Sequence, residues 1–113
     1  MKQIPLRALI DCNSLNIADL TGIEDFTALT DLECQYNQLT SLDVSQNTAL
    51  TYLDCTYNHL TTLDVSGATA LDTLFCYNNN LTTLDVSGAT ALHCLNFVYN
   101  FPTSFYVSCA TTS

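Results

Sequence analysis

Positive charge is nearly missing from this chain: Lys and Arg total 2 against 11 Asp and Glu, a formal net charge of −9 over 113 residues. A nucleic-acid binder needs a cationic face that displaces counterions from phosphates, and two cations cannot make one. Attachment to an anionic membrane surface is disfavoured for the same reason. Charge of either sign is scarce, at 12% of residues, while 48% are hydrophobic. That balance is too apolar for a disordered tail, and the polar surface must come mostly from Thr, Asn, Ser and Tyr. Long apolar runs are missing as well, since none approaches the ~20 residues of a membrane span, so no membrane insertion is expected. The opening MKQIPLRALIDCN is broken by Pro5 and Arg7. It is too short and too interrupted for a secretory signal, which implies an intracellular protein or a trimmed form. A Gly-rich phosphate loop is absent, and neither His59 nor His93 has a Cys or Ser partner at a meaningful spacing. No catalytic constellation can be assembled from these parts, so the expectation is a protein that is not an enzyme and takes no cofactor.

What the sequence does contain is a repeat. Residues 39–59 read LTSLDVSQNTALTYLDCTYNH, residues 60–80 LTTLDVSGATALDTLFCYNNN, and residues 81–101 LTTLDVSGATALHCLNFVYNF. The period is 21 residues, and the last two copies share their first twelve. Upstream, Cys12, Ile17 and Leu20 match Cys34, Leu39 and Leu42 at a spacing of 22, so the first repeat carries one extra residue within TGIEDF (21–26). Downstream, PTSFYVS (102–108) matches LTTLDVS, with Phe105 in place of Leu and Tyr106 in place of Asp.

Each repeat holds two short apolar alternations, LxxLxCxxN and LxxLDVS, as in Leu50 to Asn58 and Leu60 to Ser66. Period-2 alternation of this length is strand-like, and Asn, Gly and Ala-Thr bends separate the two. The expected fold is mostly β: a single solenoid over 1–113 of about five coils with short parallel strands stacked ~4.8 Å apart and little or no helix. Its repeats run approximately 9–28, 29–49, 50–70, 71–91 and 92–113, and its ends are poorly capped. Stacking places Leu32, Leu53, Leu74 and Leu95 in one core column. Leu42, Leu63, Leu84 and Phe105 form a second, and Val44, Val65, Val86 and Val107 a third. Asn37, Asn58, Asn79 and Asn100 form a ladder at the bend, where an inward amide can satisfy backbone groups that the turn leaves unpaired.

The pattern LxxLxCxxNxL followed by TxLDVSxNxx, carried by Leu50 to Leu60 and by the LDVS blocks, resembles the bacterial 21-residue leucine-rich-repeat class sometimes called IRREKO. The resemblance covers roughly residues 9–108 and implies a leucine-rich-repeat solenoid. It further implies a surface or secreted bacterial protein, often of the Bacteroidetes type, serving as a recognition module.

Six cysteines invite a disulfide reading, but the register puts Cys12, Cys34, Cys55 and Cys76 in one inward column, continued by Phe97. Free buried Cys is a small hydrophobe, and a line of thiols at 21-residue spacing lacks the converging geometry of a zinc site. Cys94 falls at an outward strand position and Cys109 at the Gly67/Gly88 bend position. Either can be a reactive or intermolecular thiol, and an idle unpaired cysteine is the simpler reading. Asp43, Asp64 and Asp85 form an outward column of like charge that suits either a solvated surface or recruitment of a cation such as Ca²⁺; the solvated surface is preferred and no metal is expected. Asn80-Leu81-Thr82 is a formal glycosylation sequon produced by drift at a bend position.

On the LxxLxCxxN strand the outward columns vary along the chain, while the LDVS side is monotonous. They read Asp31, Tyr52, Thr73, Cys94; Glu33, Asp54, Phe75, Asn96; Gln35, Thr56, Tyr77, Val98; and Tyr36, Tyr57, Asn78, Tyr99. Exposed aromatics supply large, stiff contact area, so Tyr52, Asp54, Tyr57, Phe75, Tyr77 and Tyr99 are the candidate binding face, for a protein or glycan ligand. The alternative is assembly with further copies of itself, head to tail through uncapped ends near Leu9, Phe105 and Tyr106, into a filament.

Overall fold

A computed structural model describes residues 7–100 and the backbone of 107–109. Its strands are each three residues long: β1 Leu9–Asp11, β2 Asp31–Glu33, β3 Ser41–Asp43, β4 Tyr52–Asp54, β5 Thr62–Asp64, β6 Thr73–Phe75, β7 Cys94–Asn96 and β8 Val107–Cys109. One 3₁₀ turn spans Ile23–Asp25. The LxxLxCxxN segments build a six-stranded sheet in the order β1-β2-β4-β6-β7-β8, and β3 and β5 pair as a second, two-stranded sheet. From β1 to β7 the sheet is parallel, with rungs Leu9↔Asp31, Asp31↔Tyr52, Tyr52↔Thr73 and Thr73↔Cys94. These five parallel strands enclose about four turns of a mostly β solenoid, the fold class that the repeat predicts.

The central residue of a three-residue strand points inward because side chains alternate across a sheet. Leu32, Leu53 and Leu74 are fully buried in this way, with Leu95 close behind. Burying one such side chain contributes about 2 kcal/mol, and it happens only because the neighbouring coils supply both walls. The second strand is weaker than the first. In the fourth repeat Leu84 and Val86 are only half-buried and Thr83–Asp85 is not a strand.

The 22-residue first repeat absorbs its extra residue as expected, inside 21–26. Gly22 takes φ 105°, a left-handed value that glycine adopts without a Cβ penalty, and it opens the 3₁₀ turn. Two carbonyls of this loop, Ile23 O and Phe26 O, accept hydrogen bonds from Asn47 Nδ2 at 3.0 and 3.1 Å. In the next two repeats the equivalent positions are Ala68 and Ala89, also buried. There the coils close up further: a Cβ on Gly67 would lie 1.9 Å from Ser45 O, and one on Gly88 2.1 Å from Ser66 O.

The C-terminal end departs from the repeat. Strand β8 pairs antiparallel with β7, in register Cys94↔Cys109 and Asn96↔Val107. The expected parallel continuation, with Val107 in the valine column and Cys109 at a bend, is therefore replaced by a reversal onto the β7 edge. Phe105, expected in the second leucine column, lies outside the described residues.

Candidate functional site

The bends that follow β2, β4, β6 and β7 are built the same way, on Asn37, Asn58, Asn79 and Asn100. Asn58 is buried, and its Nδ2 donates to Cys34 O of the preceding coil at 3.1 Å and to Cys55 O and Thr56 O of its own at 3.0 and 3.2 Å. Its Oδ1 accepts from Leu39 N at 3.0 Å. Asn79 repeats the set on Cys55, Cys76 and Tyr77 carbonyls and on Leu60 N, and Asn100 on Cys76, Phe97 and Val98 carbonyls and on Leu81 N. Only a neutral amide offers both donors and an acceptor on one planar group, which accounts for the constancy of Asn at this position.

The residue before each of these asparagines has positive φ: Tyr36 58°, Tyr57 53°, Asn78 56° and Tyr99 61°. Left-handed backbone costs a non-glycine residue roughly 1–2 kcal/mol. It persists here because it is held from two sides: Tyr36 N donates to Thr56 O, Tyr57 N to Tyr77 O and Asn78 N to Val98 O in the next coil, while the following Asn is locked inward. The conformation turns the tyrosine side chains out. Tyr36, Tyr57 and Tyr99 are 55%, 44% and 65% exposed.

The structure brings most of the expected face together. Tyr52 and Phe75, diagonal neighbours on β4 and β6, meet edge to face with ring centres 5.9 Å apart. Tyr57 meets Tyr77 edge to face at 6.0 Å. Tyr36 stacks on Tyr57 at 4.7 Å with planes 7° apart, and it belongs to the face although the six residues singled out from the sequence omit it; it shares a column with Tyr57. Tyr99 stands one coil beyond Asn78, which interrupts the stack. Asp54 closes β4 and accepts from Thr56 N at 3.1 Å, as Asp11 does from Asn13 N and Asn96 from Val98 N. Phe75 occupies the same column and gives up that side-chain brace for its contact with Tyr52. Burial pushes the Asp54 carboxyl up, with a further upward push from Glu33 and an opposing pull from its hydrogen bonds to Thr56. Burial also raises the Tyr52 phenol, helped by Asp54, Glu33 and Asp31.

Two positions of the face are covered rather than open. Thr56 is buried, and Asp31 is buried under Arg7, whose Nε and a terminal nitrogen reach its two oxygens at 2.9 and 2.7 Å. Of the assembly residues, Leu9 lies on the edge strand β1, 49% exposed, beside an apolar pocket of about 180 Å³ lined by Ala8, Ile10, Phe26 and Leu29. Phe105 and Tyr106 fall outside the described residues.

The cysteines follow the register except at the C-terminal end. Cys34, Cys55 and Cys76 are fully buried free thiols and Cys12 is half-buried. Burial pushes the Cys34 and Cys55 thiols far up, and that of Cys76 up to about 12. Cys94 is disulfide-bonded, which replaces the expected idle or reactive thiol; its backbone partner across the antiparallel pair is Cys109. The aspartate column is engaged by its own turns: Ser45, Ser66 and Ser87 donate backbone N–H groups to Asp43, Asp64 and Asp85 at 2.8–2.9 Å. Hydrogen bonds from the serines hold Asp64 and Asp85 below the usual carboxylate range. Among the described residues no group of three His, Cys, Asp or Glu is placed to hold a metal ion, and no helix is long and apolar enough to cross a membrane.

No family model matches the sequence. It is 50% identical over 46 residues to Internalin J of Listeria monocytogenes serotype 4b, a stretch covering 41% of this chain and 5% of that protein. A solved structure of the functional domain of InlJ from Listeria monocytogenes, described as including a cysteine ladder, superposes with a TM-score of 0.78 at 38% identity. The match covers 82% of this chain and 20% of that one, so the chain spans about a fifth of its structural relative. A stacked column of free cysteines is present here too, at Cys12, Cys34, Cys55 and Cys76. Fold and likeness agree: this chain is a leucine-rich-repeat solenoid, similar over its coils to the repeat domain of a bacterial internalin.

Proposed function

We propose that the chain is a non-catalytic recognition module that binds a protein or glycan through the outer face of its large sheet and the tyrosine bend beside it. The observation that carries this reading is the set of exposed tyrosines held in left-handed backbone. Strain and exposed aromatic area are both costly, and both gather on the one face whose residues vary from coil to coil. The resemblance to the 21-residue bacterial repeat class supports the same role and a surface or secreted location. The test is to probe the folded protein against arrays of peptides and oligosaccharides. Ligands should be retained by Asp64→Asn, on the small sheet, and lost by Tyr57→Asn and Phe75→Asn. Loss through the small sheet alone would refute the assignment.

A second reading, head-to-tail assembly, is favoured by one observation: the apolar β1 edge, where Leu9 and Phe26 are about half exposed around their pocket. The antiparallel β8 argues against it, because it interrupts the parallel stack of coils that a head-to-tail joint would extend. Light scattering across concentration with negative-stain microscopy decides: growth into filaments blocked by Leu9→Asp supports assembly, and uniform monomers reject it.

A further inference from the structure

The recognition face is acidic at one end and aromatic across its middle. Asp11, Glu33 and Asp54 occupy one outward column on the successive strands β1, β2 and β4, about 4.8 Å from rung to rung. None of the three is in an ion pair among the described residues, where the ion pairs are Arg7–Asp31 and His93–Asp72. Their own hydrogen bonds leave acceptor capacity free, since a carboxylate takes about four: Asp11 is bonded by Asn13, Asp54 by Thr56 N, and Glu33 by Gln35 Nε2 at 3.4 Å. Gln35 Oε1, one column over, is buried without a donor. Next to the carboxylates stand Tyr52 on β4 and its neighbour Phe75 on β6, and beyond the Gln35 and Thr56 column lies the stacked pair Tyr36 and Tyr57 at the bend.

Carboxylates at strand spacing with aromatic rings alongside form a receptor for cations, and above all for guanidinium, which pairs with carboxylate in a fork and packs flat on a ring. The chain already pairs a guanidinium with a carboxylate on this face once. Arg7 lies over the rung next to Tyr52, gripping Asp31 through two nitrogens, while Thr30 Oγ1 donates to the same carboxylate at 2.8 Å. Among the described residues no further Lys or Arg stands by Glu33 and Asp54, because Arg7 is the one such residue described and it is engaged by Asp31.

We infer that the partner of this face is a protein segment presenting arginine or lysine side chains, received by Glu33 and Asp54 and packed against Tyr52, Tyr57 and Tyr36. This rests on the recognition reading above and names the partner chemistry for it. A strongly anionic chain attracts any cation weakly over its whole surface, so the decisive comparison is between equal charge changes in different places. The probe is a fluorescent peptide of four arginines spaced by glycines, titrated by anisotropy at 150 mM salt. Its counterpart carries citrulline, the neutral isostere, at each arginine. Glu33→Gln/Asp54→Asn and Asp64→Asn/Asp85→Asn each remove two charges, the first pair from the face and the second from the small sheet. Circular dichroism checks that both remain folded.

The expected result is binding of the arginine peptide, no binding of the citrulline peptide, and affinity at least tenfold weaker for the face variant with less than twofold change for the small-sheet variant. Equal weakening by both variants would overturn the inference, since it marks diffuse attraction. Binding of a neutral peptide or an oligosaccharide, lost on Tyr57→Asn while the arginine peptide fails, would also overturn it but leave the recognition face standing. Failure of every probe, arrays included, would remove both.

Discussion

Tyr36 and Tyr57 stack with ring centres 4.7 Å apart, one coil above the other, each on a residue with left-handed backbone. The stack returns part of what the backbone costs, since an aromatic pair contributes about 0.5–1.5 kcal/mol beyond area burial. Asparagine tolerates this backbone better than tyrosine and already stands at Asn78. Tyr57→Asn should therefore leave the thermal midpoint within a few degrees of the parent while abolishing ligand binding, a separation that calorimetry and array binding read directly. A large loss of stability would make the tyrosine column structural.

The asparagine ladder carries the opposite expectation. Removing the Asn79 side chain leaves Leu60 N, a buried donor, with no acceptor, and takes a bond from each of Cys55, Cys76 and Tyr77 carbonyls. Asn79→Ala should cost about 3–5 kcal/mol in urea unfolding. Asn79→Asp should do no better at neutral pH, because it turns a carboxylate toward three carbonyl oxygens. A cost under 1 kcal/mol for either would show that the coils hold together without the ladder.

The buried thiols should be chemically silent in the folded chain. Iodoacetamide at pH 8 acts on thiolate, and burial suppresses that form at Cys34, Cys55 and Cys76. These three should label only on addition of urea, with half-buried Cys12 labelling slowly before it. The same shifts fix a pH effect. A thiol whose folded pKa is raised favours folding below its unfolded pKa and loses that contribution as pH climbs toward the folded one. For Cys76 the window runs from the ordinary value of 9.0 to about 12, and Cys76→Ala should flatten the alkaline loss of stability there. Rapid labelling at neutral pH would mean that the column opens.

Asp54 gives the complementary titration. Its carboxyl is raised by burial, so ionisation opposes folding: stability is greatest below the unfolded carboxylate pKa and declines as pH rises through the folded one. Asn keeps the bond to Thr56 N, as Asn96 does to Val98 N, and removes the charge. Asp54→Asn should add about 0.5 kcal/mol at pH 7, a small gain because the group retains contact with water, and the gain should vanish near pH 3. A loss at pH 7 would show that the charge itself is stabilising.

Much of this was legible because a repeat fixes register, and register fixes neighbours. The leucine columns, the thiol column and the inward asparagines follow from one period of 21 and the alternation of strand side chains. What escaped lay where the repeat breaks. Asn47 stands where later coils have Ala68 and Ala89, and its role depends on two carbonyls freed by the 3₁₀ turn of a different repeat. The Gln46-Asn47 deviation just downstream of the 22-residue copy was the available signal. Likewise PTSFYVS imitates LTTLDVS, yet its Val107 and the Cys109 that follows it pair antiparallel with β7, because an edge strand accepts a partner in either direction and similarity of seven residues does not select one. The outward columns were legible as varied from coil to coil. The coverage of Asp31 by Arg7 and the left-handed bends that turn out the tyrosines required coordinates.

The most direct test is amide hydrogen exchange of the chain with and without the tightest ligand found on the arrays. The account predicts added protection on β4, β6 and the bends at 56–57 and 77–78, with β3 and β5 unchanged. Protection confined to the small sheet, or to the β1 edge around Leu9 and Phe26, would contradict it and place the working surface elsewhere on the solenoid.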